Sequence, residues 1–262
     1  MDPLLIERRD DGVVLLTLNL PDIRNAMTEE LTAAWTSTMA GLAGDRDVRC
    51  VVVTGAGTAF CSGGNLSWIE DSNANRAVSA LRDRMLPFYR AWLSIRALEV
   101  PTIAAVNGHA VGAGLALALA CDLRYATPEA KLSVPFTALG MHPGMATTWL
   151  LPEVVGLAVA REMLLTGRVL TGAEGVGVGL INRTFPAESL REEVLAVATQ
   201  VAGRAPVPTR LTKVALSSGG HASFDAALAW ESLAQPITQA TDDLLEGVRA
   251  AKERRQPHFT GR

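Results

Sequence analysis

Apolar residues follow two rhythms along the chain. Val13–Asn19 (VVLLTLN), Cys50–Thr54 (CVVVT) and Thr102–Asn107 (TIAAVN) are short runs rich in β-branched or small apolar side chains. Runs of strand length bounded by turn signals predict strands buried on both faces, as in parallel sheets. A further apolar stretch, Lys131–Leu139, leads into a Gly/Pro turn and TTWLLPEVVG. The second rhythm is helical. Thr28 predicts the cap of a helix beginning EELTAAWTSTMAGL, without a capping box because Leu31 stands where Glu or Gln would be needed. From Leu157 onward helical patterns dominate: LAVAREMLLTG, AEGVGVGL with Thr171 as its cap, SLREEVLAVATQVAGR, PTRLTKVALSSG, and a long helix from Phe224 to about Arg254. Strands alternating with helices to residue 190, then helices alone over 191–262, predict an α/β fold with a helical C-terminal layer.

Two of the strands end in glycine-rich turns, at Phe60–Asn65 and Gly108–Gly114, and the second turn opens into a helix from about Ala113. Glycine lets backbone approach a ligand closely and adopt positive φ, and a helix start offers free N–H groups. One N–H from each turn would hold an oxygen that gains negative charge, such as a thioester carbonyl. The same glycines would equally serve tight strand–helix packing.

Composition narrows the choices. Of 262 residues, 48% are apolar and 19% charged, enough for a sizeable core, and the net charge of −3 argues against nucleic acid or anionic membrane as main partner. Lys252, Arg254 and Arg255 read as a solvated helix face. Cys50, Cys61 and Cys121 show no metal or disulfide spacing and fit free thiols in a reducing cytoplasm. MDPLLIERRDDG is too charged for a signal peptide, and Ala110–Cys121 is shorter than the ~20 residues of a membrane span, so a cytoplasmic location is expected. Gly55-Ala-Gly57 and Gly112-Ala-Gly114 lack the third glycine of a dinucleotide fingerprint, and no P-loop is present. Phe60 replaces the first glycine of a nucleophile elbow around Ser62, and no carboxylate/His cluster points to a metal.

Four segments, in order, resemble the crotonase (enoyl-CoA hydratase/isomerase) superfamily: PDIRNAM (21–27), TGAGTAFCSGGNL (54–66), PTIAAVNGHAVGAGLALALACDLRYA (101–126) and LLTGRVLTGAEGVGVGLINRTFP (164–186). The resemblance implies a crotonase-like spiral of ββα turns over residues 1–190 with a helical C-terminal trimerisation region over 191–262. It implies a homotrimer or a dimer of trimers, with no metal or redox cofactor and with coenzyme A carried as part of the substrate. By position, the backbone N–H groups of Ser62 and Ala113 would form the oxyanion hole. Arg24 would lie near the coenzyme A phosphates, with Ala26, Ala59, Gly64, Asn65 and Leu66 along the adenine and pantetheine path.

The sequence also departs from that family. Where the hydratases carry two glutamates, this chain resembles them except for Ala116 and Phe136, and the position that holds an Asp in the dehalogenase branch is Gly144. Neither Ala nor Phe moves a proton, so two-glutamate hydration is not expected. His142, in the GMHPG turn, is the first candidate for a general base, with bound water or a non-standard carboxylate as the alternatives. Ala116, Phe136, Gly144 and Trp149 are expected to line the acyl pocket. Cys61 is a lesser candidate as nucleophile, and Glu70, Asp71 and Glu231 are remote candidates as carboxylates. The expectation is therefore an enzyme acting on an acyl- or enoyl-CoA, with an acyl-CoA-binding protein or a thioester hydrolase or decarboxylase as alternatives.

Overall fold

The computed structural model describes residues 2–65, 77–217 and 223–262. Its first strands are β1 (Leu4–Arg8), β2 (Val13–Leu18), β3 (Cys50–Gly55) and β4 (Ala59–Cys61), followed by β5 (Thr102–Val106) and β6 (His109–Val111). The last four are β7 (Leu123–Ala126), β8 (Lys131–Ser133), β9 (Leu170–Thr171) and β10 (Arg183–Thr184). A six-stranded sheet runs β1-β2-β3-β5-β7-β10, parallel except for the β1–β2 hairpin, with Leu15 opposite Val52 and Val53 opposite Ala104. A second sheet runs β4-β6-β8-β9. From β3 to β8 consecutive strands thus go alternately to the large and the small sheet, which winds the chain into a spiral.

The unbroken apolar runs are explained by burial on both faces. Val14, Leu16, Val51, Val53, Ala104 and Val106 point into the main core, whereas Val13, Leu15, Cys50, Val52, Ile103 and Ala105 point the other way. The main core is closed by helices α1 (Glu29–Ala43), α2 (Val78–Leu93), α3 (Ala113–Leu119) and α4 (Thr147–Thr166). The opposite face is covered by α6 (Leu190–Ala202) through Leu190, Val194, Leu195 and Ala198, with the short α5 (Gly172–Gly177) preceding it.

Thr28 caps α1 as expected, its hydroxyl accepting from the Leu31 N–H at 3.1 Å. At α5 the cap is stronger than expected: Thr171 and Glu174 form a full capping box. The long helix expected from Phe224 to about Arg254 is instead two, α8 (Phe224–Gln239) and α9 (Asp242–Glu253), after α7 (Pro206–Leu216). Thr241 breaks the run and caps α9, accepting from the Leu244 N–H at 3.3 Å. The hydrophobic pattern continues across the break, but the capping hydroxyl supplies a competing partner for the backbone. Strand β1 and helix α2 were not anticipated. In α2 an internal Pro87 and many charged residues mask the helical pattern.

Helix α2 is held by a tryptophan pair. Trp92 stacks on Trp35 of α1 at 5.1 Å, with planes 20° apart. Trp92 Nε1 donates to Thr32 Oγ1 (3.0 Å) and Trp35 Nε1 to the Ala91 carbonyl (3.1 Å), so both buried indoles are satisfied. The residues one and two turns before Trp92 therefore face a fixed direction, over the ends of β4 and β6.

Candidate active site

The two glycine turns meet. Gly112 has φ 56° and ψ −117°, a conformation closed to side-chain-bearing residues, and it directs the chain from β6 into α3. Gly63 has φ 96°, and a methyl group there would stand 2.8 Å from the Val111 carbonyl oxygen and 3.3 Å from the Ala113 nitrogen. Only glycine permits that approach. Two asparagines, Asn25 fully buried and Asn107 partly so, fix the surroundings. Asn25 Nδ2 donates to the carbonyls of Ala56 (2.9 Å) and Ala59 (2.8 Å), while its Oδ1 accepts from the Leu20 N–H. Asn107 Oδ1 accepts from the Gly55 N–H and its Nδ2 donates to the Gly57 carbonyl, both at 3.0 Å.

Between these turns, α2 and the Pro135–Met145 segment lies a cleft of about 270 Å³. Ser62, Gly63, Gly64, Val111, Gly112 and Ala113 form its floor. Phe136, His142, Gly144 and Met145 line one wall, and Leu81, Arg84, Met85, Phe88 and Tyr89 of α2 line the other. A larger hollow of about 960 Å³ lies between α7, α9 and the core, around the Lys213–Asp122 ion pair. It contains none of the candidate residues. The smaller cleft is the chemically relevant one because it holds unengaged main-chain donors.

Those donors differ from the expected pair. The Ser62 N–H donates to the Arg24 carbonyl at 3.0 Å, and its hydroxyl reaches the Ile23 carbonyl at 3.4 Å. Ser62 pairs with the 24–27 segment just beyond β4, so its amide is not open to a ligand. Gly63 then turns the chain, and among the described residues no hydrogen bond engages the N–H of Gly64 or of Ala113. Gly64, expected on the pantetheine path, thus brings an open donor to the cleft beside Ala113.

The other expected residues separate. Phe136, Gly144 and His142 line the cleft, and the Phe136 ring packs over Gly112. Ala116 does not line it: one turn into α3, it is fully buried in the core. Trp149 does not line it either, being 59% exposed on α4. Arg24 is exposed, Ala26 and Ala59 are buried, and none of the three borders the cleft. Asn65 follows the floor, whereas Leu66, Glu70 and Asp71 lie outside the described residues. Glu231 is exposed on α8, away from the cleft.

The described residues lining the cleft include no carboxylate; their ionisable groups are Arg84, Tyr89 and His142. His142 is exposed, and its Nδ1 lies 2.8 Å from the Pro143 carbonyl oxygen. A carbonyl only accepts, so in the neutral ring the tautomer that makes this hydrogen bond has its proton on Nδ1 and presents Nε2 as an acceptor. The Cys61 thiol is fully buried, donates to the Asn25 carbonyl at 3.1 Å, and is pushed up to about 12 by burial. That is a packed thiol and not a nucleophile. Burial also raises Tyr89 above the ordinary phenol range, keeping it protonated at neutral pH.

The sequence pattern of the enoyl-CoA hydratase/isomerase family matches residues 8–262. The chain belongs to that family. It is similar to the 2,3-dehydroadipyl-CoA hydratase of Escherichia coli, 33% identical over 258 residues covering 98% of this chain and 99% of that protein. It is also similar to the human mitochondrial enoyl-CoA hydratase domain-containing protein 2, 35% identical over 259 residues covering 97% and 87% of the two chains. The crystal structure of the Bacillus anthracis enoyl-CoA hydratase superimposes with a TM-score of 0.92 at 31% identity, covering 99% and 100% of the two chains. The crotonase-like spiral expected from the sequence is therefore the fold of this enoyl-CoA hydratase/isomerase family member. No helix of its described residues is long and apolar enough to cross a membrane.

Sequence reading missed Tyr89 and Asn25. Tyr89 lay in a helix hidden by Pro87, although Leu81, Met85, Phe88 and Trp92 have the spacing of one helical face. Asn25 was quoted only as part of a motif. Its role depends on partners more than thirty residues away, and no local signal carries that.

Proposed function

We propose that the protein binds an acyl- or enoyl-CoA thioester in this cleft, with the carbonyl oxygen between the N–H groups of Gly64 and Ala113. The reading is carried by those two main-chain donors, both without partners among the described residues and both on the floor of one mostly apolar cleft. Negative charge developing on the oxygen during enolate or adduct formation would be stabilised by roughly 3–4 kcal/mol per donor. Coenzyme A is part of the substrate in this reading, and its path past Arg24, Ala26, Ala59, Asn65 and Leu66 follows the family resemblance.

Proton transfer in this reading falls to His142 through Nε2, not to a glutamate pair. Support comes from the apolar occupants of both glutamate positions, Ala116 and Phe136, and from the absence of a carboxylate among the described lining residues. Those observations also favour a second reading, an acyl-CoA binder without turnover. Measuring turnover of crotonyl-CoA, a 3-enoyl-CoA and a malonyl-type CoA beside their binding separates the two. Hydration at rates usual for the family would overturn the assignment to His142 if its substitution left that rate unchanged.

The carbonyl site is tested directly by vibrational spectroscopy of bound butyryl-CoA carrying a ¹³C-labelled thioester carbonyl. Two N–H donors lower the stretching frequency relative to the free thioester, and Gly64→Pro, which removes one donor, returns part of that shift. An unshifted band in the bound wild type would end the reading. The resemblance further supports assembly as a homotrimer or a dimer of trimers.

A further inference from the structure

Tyr89 presents a polar group that nothing yet described uses. It projects from α2 into the same cleft as the two open amides. A methyl group at position 144 would stand 2.5 Å from the Tyr89 hydroxyl oxygen and 3.0 Å from the ring carbon bearing it. Gly144 is thus the residue that admits the phenol. Any larger side chain there would displace it.

The hydroxyl has no hydrogen-bond partner among the described residues, although the side chain is only partly exposed. It is not sealed in: the one fully buried side-chain polar atom without a partner among those residues is Arg210 Nε. An open hydroxyl beside the cleft, unsatisfied by protein, stands among Leu81, Met85, Phe88, Phe136 and Met145. Buried tyrosine hydroxyls ordinarily find a partner, and apolar pockets orient ligands through a few placed polar groups. The phenol stays protonated, so it has a proton to donate to a ligand oxygen.

We propose that the Tyr89 hydroxyl donates a hydrogen bond to a second oxygen on the bound acyl chain, so that the cleft selects acyl-CoA thioesters carrying a hydroxyl or keto group beyond the thioester. This deepens the thioester reading and rests on it, because the first oxygen is taken to be held by Gly64 and Ala113. No bond is made or broken at Tyr89; the residue confers specificity. The arrangement has two halves, the phenol and the glycine that makes room for it, and each is separately testable.

The experiment is calorimetric titration of the full-length protein with butyryl-CoA, 3-hydroxybutyryl-CoA and 4-hydroxybutyryl-CoA. At least one hydroxylated thioester is expected to bind about tenfold more tightly than butyryl-CoA, the worth of one net hydrogen bond. In Tyr89→Phe, which removes only the oxygen, that ratio falls to about one. Gly144→Ala, which forces the phenol aside, gives the same collapse. Equal binding of all three by the wild type, or a ratio that survives Tyr89→Phe, overturns the role of Tyr89 while leaving the thioester reading in place. Failure of the wild type to bind any of the three overturns both.

Discussion

At the scale of single residues, the described lining of the cleft carries a histidine, a phenol and an arginine and no carboxylate. His142 is poised by a single contact to its own neighbour's carbonyl, which leaves Nε2 free to accept. In the proposed reading His142 is the general base, and such a group contributes about 10²–10⁴-fold. His142→Gln is therefore expected to lower kcat at least ~10²-fold while leaving the affinity for a saturated acyl-CoA nearly unchanged, measured by steady-state kinetics beside ligand titration. An unchanged kcat would retire the role. The sequence identified Ala113 as a cleft residue through its glycine turn, and Phe136, Gly144 and His142 through the positions they hold in the family resemblance. It misplaced the partner donor at Ser62. The hydrogen bond that occupies that amide comes from Arg24, thirty-eight positions earlier, and a one-dimensional pattern does not say which amide of a glycine turn is already engaged. Trp149 failed for a related reason. Apolar character predicts burial somewhere, but the face of α4 on which Trp149 stands is exposed.

At the scale of elements, strands were legible where both faces are buried, since composition alone then marks them. Helices were less legible wherever capping outweighs the apolar pattern. The break between α8 and α9 is the clearest instance, and α9 carries a further consequence. Glu246 accepts from the Arg255 guanidinium at 2.5 and 2.9 Å and from the His258 N–H at 3.0 Å, tying the terminal segment back onto the helix. Asp243, one turn earlier, accepts from the N–H groups of Thr260 and Gly261. Arg255 lowers Glu246 from its ordinary 4.5 to about 2, with the His258 amide adding to the effect. A carboxyl lowered in the folded state stabilises it fully above its unfolded pKa, and that contribution is lost as pH falls through the folded value. Docking of the terminal segment should therefore weaken progressively between about pH 4.5 and pH 2. NMR titration of the Glu246 carboxyl checks the midpoint, and hydrogen exchange at the His258 amide checks the docking. In Glu246→Gln the exchange should lose this acid dependence. A midpoint near 4.5 would show that the tie does not form in solution.

At the scale of the whole molecule, the described residues leave apolar surface that none of them covers. Helix α8 has no buried residue, yet Phe224 is 80% and Leu233 70% exposed, with Leu228 and Ile237 also open on the same helix. Leu216 at the end of α7 is 72% exposed. Isolated apolar side chains on a surface need no explanation, but a helix that shows them on more than one side is stable only when something packs against it. The core offers no further face, because α6 already covers the outer side of the large sheet. A second copy of the chain could pack against this helix, and head-to-tail contacts between unlike patches close into a ring when the rotation allows it. The family resemblance names that assembly as a trimer or a pair of trimers. Sedimentation velocity of the wild type should accordingly give three or six times the chain mass. Leu233→Glu, which places a charge in the exposed face without touching the cleft, should shift the boundary toward monomer and leave the far-UV circular dichroism unchanged. A wild-type chain that sediments as a monomer at micromolar concentration would mean that α8 is covered by some other partner.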